Sequence, residues 1–374
     1  MANNMYRNTY AEIDLNALKH NLNAIQINLG KDKKIIPVLK ANAYGHGSVE
    51  VAQVLEAENY DLLAVALLEE AMELRDAGIK ATILVLGWVA PKFAYIATQH
   101  NFILTVFQTK WLEEIQNEDL KKELQIHIKL DTGMGRNGLR NELELMSFIH
   151  KLKDVPAIKV KGIYTHFASA DHKDKTYFKE QLMKFDQLVN MINKIYSTKD
   201  LIIHVGNSAA SIQHAKDMPD YSRVGVSLYG MYPSSDVKST HLIDLKPVLA
   251  LKSEITHVKQ TKAGDKIGYA SSYTAEEGDW IGTVAIGYAD GWLRKLQNTD
   301  VLVAGKRMKI VGRICMDMLM IKLDKAYEIG TEVTLIGNSG DESISIDEIA
   351  DHLETINYEI TTNITSRVPR LYDN

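Results

Sequence analysis

IIPVLKANAYGHG, residues Ile35 to Gly47, is an apolar run with β-branched side chains that stops at Lys40 and passes directly into a glycine-containing loop. Such a run, closed by a turn, reads as a strand. The same texture recurs outward from it, in LLAVA (Leu62–Ala66), TILVLG (Thr82–Gly87), FILTVF (Phe102–Phe107), IHIKLD (Ile126–Asp131), VKGIYTHF (Val160–Phe167), LIIHVG (Leu201–Gly206) and VGVSLYG (Val224–Gly230). Longer segments with helical spacing separate these runs, so strands and helices alternate around a parallel sheet. Eight βα units over roughly 200 to 250 residues predict a (β/α)8 TIM barrel, although a doubly wound open sheet gives a similar list.

Upstream, Asp14 is a candidate N-cap for a helix whose apolar face is Leu15, Leu18, Leu22 and Ile25, expected to pack outside the barrel. Beyond about Asp244 the texture changes to short β-rich runs (VLALKSEITHV, WIGTVAIGYA, RMKIVGRICMDMLMIKL, EVTLIG) between Gly, Asp and Asn turns. The expected organisation is an α/β barrel over residues 1–243, followed by a mainly β C-terminal domain over 244–374, the first residues to about 13 being able to pair with that second domain. At 374 residues the chain suits two domains. Its 45% hydrophobic and 24% charged residues are those of a globular protein. A net charge of −5 with no Lys/Arg block offers no footprint for nucleic acid. The single cysteine, Cys315, excludes an intramolecular disulfide, and no Cys/His cluster has metal-site spacing, so no metal is expected. The N-terminus, MANNMYRNTYAEIDL, lacks the apolar core of a signal peptide, and no stretch approaches a membrane span. These features imply a cytoplasmic protein.

Active sites of barrels lie at the C-terminal edge of the strands, which is where Lys40 falls. A lysine there is placed for partial desolvation, which favours the neutral amine needed for Schiff-base chemistry; a snorkelling strand-end lysine has the same local pattern. Asn207 and Ser208 in HVGNSAAS follow a strand and open a helix, a position suited to an anion and equally to ordinary helix capping.

The longer string VLKANAYGHG, with Lys40, Asn42, Tyr44 and Gly45, resembles the cofactor-binding signature of alanine racemases, the barrel-type family of pyridoxal-phosphate enzymes. The resemblance continues in order through KLDTGMGR (Lys129–Arg136), YTHFASAD (Tyr164–Asp171), HVGNSAAS (His204–Ser211), SRVGVSLYG (Ser222–Gly230), IGYASSYTA (Ile267–Ala275), AIGYADG (Ala285–Gly291), RICMDM (Arg313–Met318), INYE (Ile356–Glu359) and RVPR (Arg367–Arg370). It implies that Lys40 carries pyridoxal 5'-phosphate as a Schiff base, with Tyr44 and Asn207 in the cofactor site and Ser208, Gly225 and Tyr358 at the phosphate. Arg223 then faces the pyridine nitrogen. Tyr269 falls on the second base, contributed by the neighbouring subunit of a homodimer, and His166 connects that tyrosine to Arg223. Arg136 and the backbone of Met316 meet the substrate carboxylate, Lys129 occupies the position of a carbamylated lysine, and Tyr288 and Asp317 lie at the entrance. Near the end, ITSRVPR departs from versions of the pattern with a second aromatic residue before RVPR.

The function so implied is two-base racemisation of L- and D-alanine, supplying D-alanine for bacterial cell-wall peptidoglycan. A broader amino-acid racemase is the nearest alternative. A fold-related decarboxylase usually sets a carboxylate, rather than an arginine, against the pyridine nitrogen. A non-catalytic pyridoxal-phosphate carrier resembles the first domain only, and so lacks Tyr269, Tyr288 and the CMD motif.

Overall fold

A computed structural model describes residues 5–373. The first four residues of the N-terminal stretch read above, and residue 374, lie outside the described residues. The chain forms two compact units. One comprises residues 19–43 and 47–246; the other comprises the chain up to Leu18, Tyr44–His46 and everything from Pro247.

The first strand, β1 (Tyr10–Asp14), belongs to the second of these units, and the next eight build the first: β2 (Lys34–Pro37), β3 (Leu62–Val65), β4 (Thr82–Val85), β5 (Phe102–Val106), β6 (Leu124–Lys129), β7 (Ile158–Tyr164), β8 (Ile202–Gly206) and β9 (Tyr221–Val224). They pair in parallel in the order β2-β9-β8-β7-β6-β5-β4-β3. Just past β2, Val38 bridges Ala64 of β3, and the Leu39 N–H donates to the Ala64 carbonyl at 2.8 Å. That contact joins the two ends of the sheet and rounds it into a TIM-like barrel. Every residue of β3 and β5 is buried, as expected where helices cover a parallel sheet.

The apolar periodicity located the strands better than it bounded them. VGVSLYG was expected to be the last strand, but only Val224 of it is extended. β9 begins at Tyr221, in register with Lys34 of β2, and Val226–Tyr229 is a 3-10 turn. Its side chains are apolar because they are buried, not because the backbone is extended. Thr165–Phe167 likewise lies beyond the end of β7.

Helix α1 (Leu15–Leu29) starts where Asp14 Oδ1 accepts from the Ala17 N–H at 2.8 Å, and Leu15, Leu18, Leu22 and Ile25 are all buried. Asn21, on the same helix, donates to the carbonyls of Leu228 and Lys246 and accepts from the Lys246 N–H. This buried amide ties the helix to the closing segment of the barrel.

Between β2 and α2 (Ser48–Ala57) the chain makes a left-handed turn: Ala41, Asn42, Ala43 and Tyr44 have φ of 53°, 54°, 52° and 54°. L-residues pay about 1–2 kcal/mol each in this region, so the turn must be held from outside. The Ala43 N–H donates to the Leu39 carbonyl, the Gly47 N–H to the Asn42 carbonyl, and the Ser48 N–H to Asn42 Oδ1 at 2.9 Å. Gly45 then lies against Thr361 with φ of 88°, where a Cβ would sit 2.1 Å from the Thr361 carbonyl oxygen. Only glycine fits there.

The second unit is mainly β. Its strands are β1 with β10 (Leu249–Gln260), the two-stranded ribbon β11 (Lys266–Ile267) and β12 (Tyr273–Thr274), then β13 (Trp280–Val284), β14 (Asp300–Val303), β15 (Lys306–Val311), β16 (Leu319–Leu323), β17 (Glu332–Ser339), β18 (Glu342–Ile344) and β19 (Arg370–Asp373). The nine-stranded sheet runs β18-β17-β14-β15-β16-β13-β10-β1-β19, and a further β10–β17 pairing curls it over. β1 runs antiparallel to β10 and parallel to β19. Two short helices, Ile346–Leu353 and Asn357–Thr362, interrupt the β texture near the end.

Candidate active site

The carboxyl ends of the barrel strands gather most of the residues singled out above. Lys40 follows β2. Burial, then the positive charges of Arg136 and Arg223, hold its amine below the usual lysine range, while the Glu70 carboxylate acts in the opposite direction. The amine is therefore easier to find neutral than an exposed lysine would be.

Arg223, on β9, is 4% exposed and organises the centre. Its Nη1 donates to His204 Nδ1 at 2.8 Å and to the His204 carbonyl, and its Nη2 donates to the Thr165 carbonyl at 2.7 Å and to His166 Nδ1 at 3.3 Å. A guanidinium only donates, so both imidazoles must accept at Nδ1. His204 then carries its proton on Nε2 and donates it to His127 Nδ1 at 2.9 Å. Burial and the Arg223 charge agree with this assignment: His166 and His204 lie well below the usual histidine range, and His127 is pushed down to about 3. Two neutral imidazoles accept from the guanidinium, and a third, His127, backs one of them. Burial lowers Arg223 itself to about 10, which leaves it protonated at neutral pH.

Tyr164 underlies this cluster, stacked on His204 at 4.6 Å, with Lys129 Nζ and Arg223 Cζ about 5 Å from its ring centroid. Lys129, 3% exposed at the end of β6, is pushed down to about 7 by burial and by Arg223 and Arg136. The following loop is folded by Asp131, whose Oδ1 accepts from the Gly133 and Gly135 N–H groups, and by Tyr177, whose hydroxyl donates to the Gly133 carbonyl. It leaves Arg136 exposed, yet near enough to depress the amines of both Lys40 and Lys129.

After β8, Asn207 caps the short helix Ser208–Gln213 by accepting from the Ala210 N–H at 2.9 Å. The Ser208 hydroxyl accepts from the Gly225 N–H at 3.1 Å, leaving its own proton to donate, and so draws Asn207, Ser208 and Gly225 together. The site as a whole is cationic and rich in donors. The acidic groups that oppose its lysines, Glu70 and Asp131, are engaged by backbone N–H groups. Such an arrangement suits a ligand carrying a phosphate or carboxylate.

The remaining candidates belong to the mainly β unit. The rings of Tyr44 and Tyr358 meet at 6.1 Å, and burial raises the Tyr44 hydroxyl beyond the usual tyrosine range. Tyr269 is 67% exposed and sits between β11 and β12, where Gly268 leaves no room for a Cβ against the Arg313 backbone. The Tyr288 N–H donates to the Cys315 carbonyl and the Ala289 N–H to that of Met316, so Tyr288 and the CMD segment form one corner. Asp317 accepts from Arg367 at 2.7 Å, and Arg367 also faces buried Asp290, which Arg7 holds in a forked pair.

Sequence reasoning did not single out His204, which accepts from Arg223, His127, which backs His204, or Glu70. His127 and His204 each sit in an apolar strand, the local pattern of a packed core histidine. Tyr164 was quoted only as part of a motif.

Residues 13–233 match the family described as alanine racemase, N-terminal domain, and residues 248–372 match alanine racemase, C-terminal domain. The chain is 46% identical over 367 residues to alanine racemase 1 of Bacillus subtilis (strain 168), covering 98% of this chain and 93% of that protein. It is 43% identical over 371 residues to the alanine racemase of Geobacillus stearothermophilus, covering 99% and 95%. Its structure is similar to the crystal structure of alanine racemase from Bacillus anthracis with bound L-Ala-P, with a TM-score of 0.95 at 42% identity, covering 99% and 96% of the two chains. The chain therefore belongs to the alanine racemase family, enzymes that interconvert the enantiomers of alanine.

Proposed function

We propose that the chain racemises alanine with pyridoxal phosphate and two bases, Lys40 and Tyr269. The observation that carries this reading is the buried Arg223 guanidinium held by the neutral imidazoles of His204 and His166, with the Lys40 amine lowered by its charge and that of Arg136. Pyridoxal phosphate held by Lys40 would supply a sink for the electron pair released when the α-carbon loses its proton. The barrel's donor set suits such a group: Ser208 and Gly225 for its phosphate with Asn207 alongside, and Arg223 for its ring nitrogen. Arg223 stays charged and has no lone pair to take up a ring proton. Arg223 would thus leave a ring nitrogen placed against it unprotonated, which would weaken the sink and favour prompt return of the substrate proton.

Racemisation removes the α-proton from one face and returns it to the other. Lys40 takes it from D-alanine and Tyr269 from L-alanine, each donating to the product of the opposite direction. His166, neutral and accepting from Arg223 at Nδ1, keeps its other ring nitrogen to pair with Tyr269. Arg136 and the Met316 N–H hold the substrate carboxylate, and Tyr288 and Asp317 border the entrance. Lys129, lowered to about 7, has a far larger neutral fraction than an ordinary lysine and can add carbon dioxide with loss of a proton, which would leave a negative charge near Arg136. Tyr269 is exposed in the single chain, which supports a site completed by a second copy. The cellular role we assign is cytoplasmic supply of D-alanine for peptidoglycan.

The test is exchange of the α-proton of L-alanine, D-alanine and L-serine in heavy water by the chain loaded with pyridoxal phosphate, with product chirality recorded. Inversion of alanine from both enantiomers is expected. Carbon dioxide release without inversion overturns the reading.

A further inference from the structure

We propose that Glu70 is a positioning residue for Lys40, clamping the left-handed turn through which the chain leaves that lysine. The proposal rests on the reading that Lys40 holds the cofactor. Glu70 is the third residue of helix α3 (Leu68–Asp76). Its Oε2 accepts from the Ala66 N–H at 2.7 Å and the Leu67 N–H at 3.0 Å, which caps the helix and fixes the end of β3. Helix capping needs no more than that oxygen. Yet Oε1 accepts from the Ala41 N–H at 2.6 Å, on the residue directly after Lys40 and the first with positive φ.

One carboxylate thus joins two adjacent strand ends and the start of an unfavourable turn. Ala41 and Asn42 are exposed, so burial does little to hold this part of the turn, and the charged hydrogen bond takes that role. Glu70 also supplies the negative charge that opposes Arg136 and Arg223 at the Lys40 amine. It therefore acts on Lys40 twice, through the backbone and through charge. Glutamine has the same shape but only one accepting oxygen, and would set an amide N–H₂ against backbone N–H groups.

The test uses the full chain with pyridoxal phosphate in four forms: unsubstituted, Glu70→Gln, Glu70→Asp and Lys40→Ala. Four quantities are read: the dissociation constant for the cofactor, the pH at half-maximal covalent attachment by absorbance, kcat with KM for alanine, and the melting temperature. Glu70→Gln is expected to weaken cofactor binding and lower kcat by about tenfold each, with KM within about twofold. It should also move the attachment midpoint to lower pH, because removing the carboxylate lets the amine lose its proton more readily. Glu70→Asp keeps the charge but shortens the arm, so the midpoint returns and kcat stays low. A Glu70→Gln protein that only melts earlier, with attachment and kcat unchanged, makes Glu70 a helix cap and overturns the proposal. If Glu70→Gln fails to fold, a Glu70→Asp protein with full kcat does the same. Covalent attachment that survives in Lys40→Ala overturns the reading of Lys40 itself, a result separate from either outcome at Glu70.

Discussion

The residue that most separates the chemistry from its scaffold is Tyr269. It is 67% exposed in the single chain, so Tyr269→Phe should leave the fold and cofactor binding intact while lowering racemisation by about 10²- to 10⁴-fold, the usual worth of a positioned acid or base. Steady-state rates with both enantiomers, beside a cofactor titration, check this, and a near-normal rate removes the tyrosine from the mechanism. Lys129 makes a second prediction, through pH. Its folded value of about 7 lies below the ordinary lysine value of about 10.4. Between these the unfolded chain holds a proton that the folded chain has lost, so stability rises with pH across this window. Thermal melts from pH 7 to 9 in buffer free of carbon dioxide should show this rise, and it should be smaller in Lys129→Met. At this scale, Lys40, Arg223 and Ser208 were candidates from the sequence through the resemblance, because each sits in a distinctive string. His127 and His204 were not legible, since a histidine within an apolar strand has the same pattern whether it packs a core or orients an arginine on the adjacent strand.

Among the elements, the left-handed turn after β2 is the least expected from local preference, because of Ala41, Asn42, Ala43 and Tyr44 only the asparagine tolerates positive φ readily. It persists because its neighbours over-determine it. Gly45→Ala should cost about 2 kcal/mol or more and weaken cofactor binding, since the added Cβ both opposes a φ of 88° and collides with the Thr361 carbonyl. Chemical denaturation together with a cofactor titration measures both effects, and an unchanged midpoint would show that the Thr361 contact can yield. The eighth strand teaches a related lesson. Val226–Tyr229 is apolar and β-rich, but pairing with β2 through Lys34–Tyr221 to Pro37–Val224 sets the strand earlier and turns that run into a 3-10 segment. Hydrophobic pattern reports burial, and strand pairing decides which buried residues are extended.

For the molecule as a whole, Lys40 and Tyr269 lie in different units, and the proposal that two copies of a dimer share each site makes a quantitative prediction. Lys40→Ala and Tyr269→Phe proteins, each nearly inactive, should regain about a quarter of normal activity when dissociated and reassociated in equal amounts. Half the dimers are then mixed, and one of the two sites in each mixed dimer has both bases. No recovery on mixing would confine the two bases to one chain. The sequence by itself determined the alternation of strands and helices, the change to β texture near Asp244 and the strings that carry the family resemblance, because these are local in the chain. Only the tertiary structure decided that the sheet closes through Val38 and Ala64, that Arg223 is steered by His204 and His166 and that the carboxylate of Glu70 reaches the residue after Lys40. Each of those depends on groups brought together from distant parts of the chain, and neither local periodicity nor motif spacing specifies such a distance.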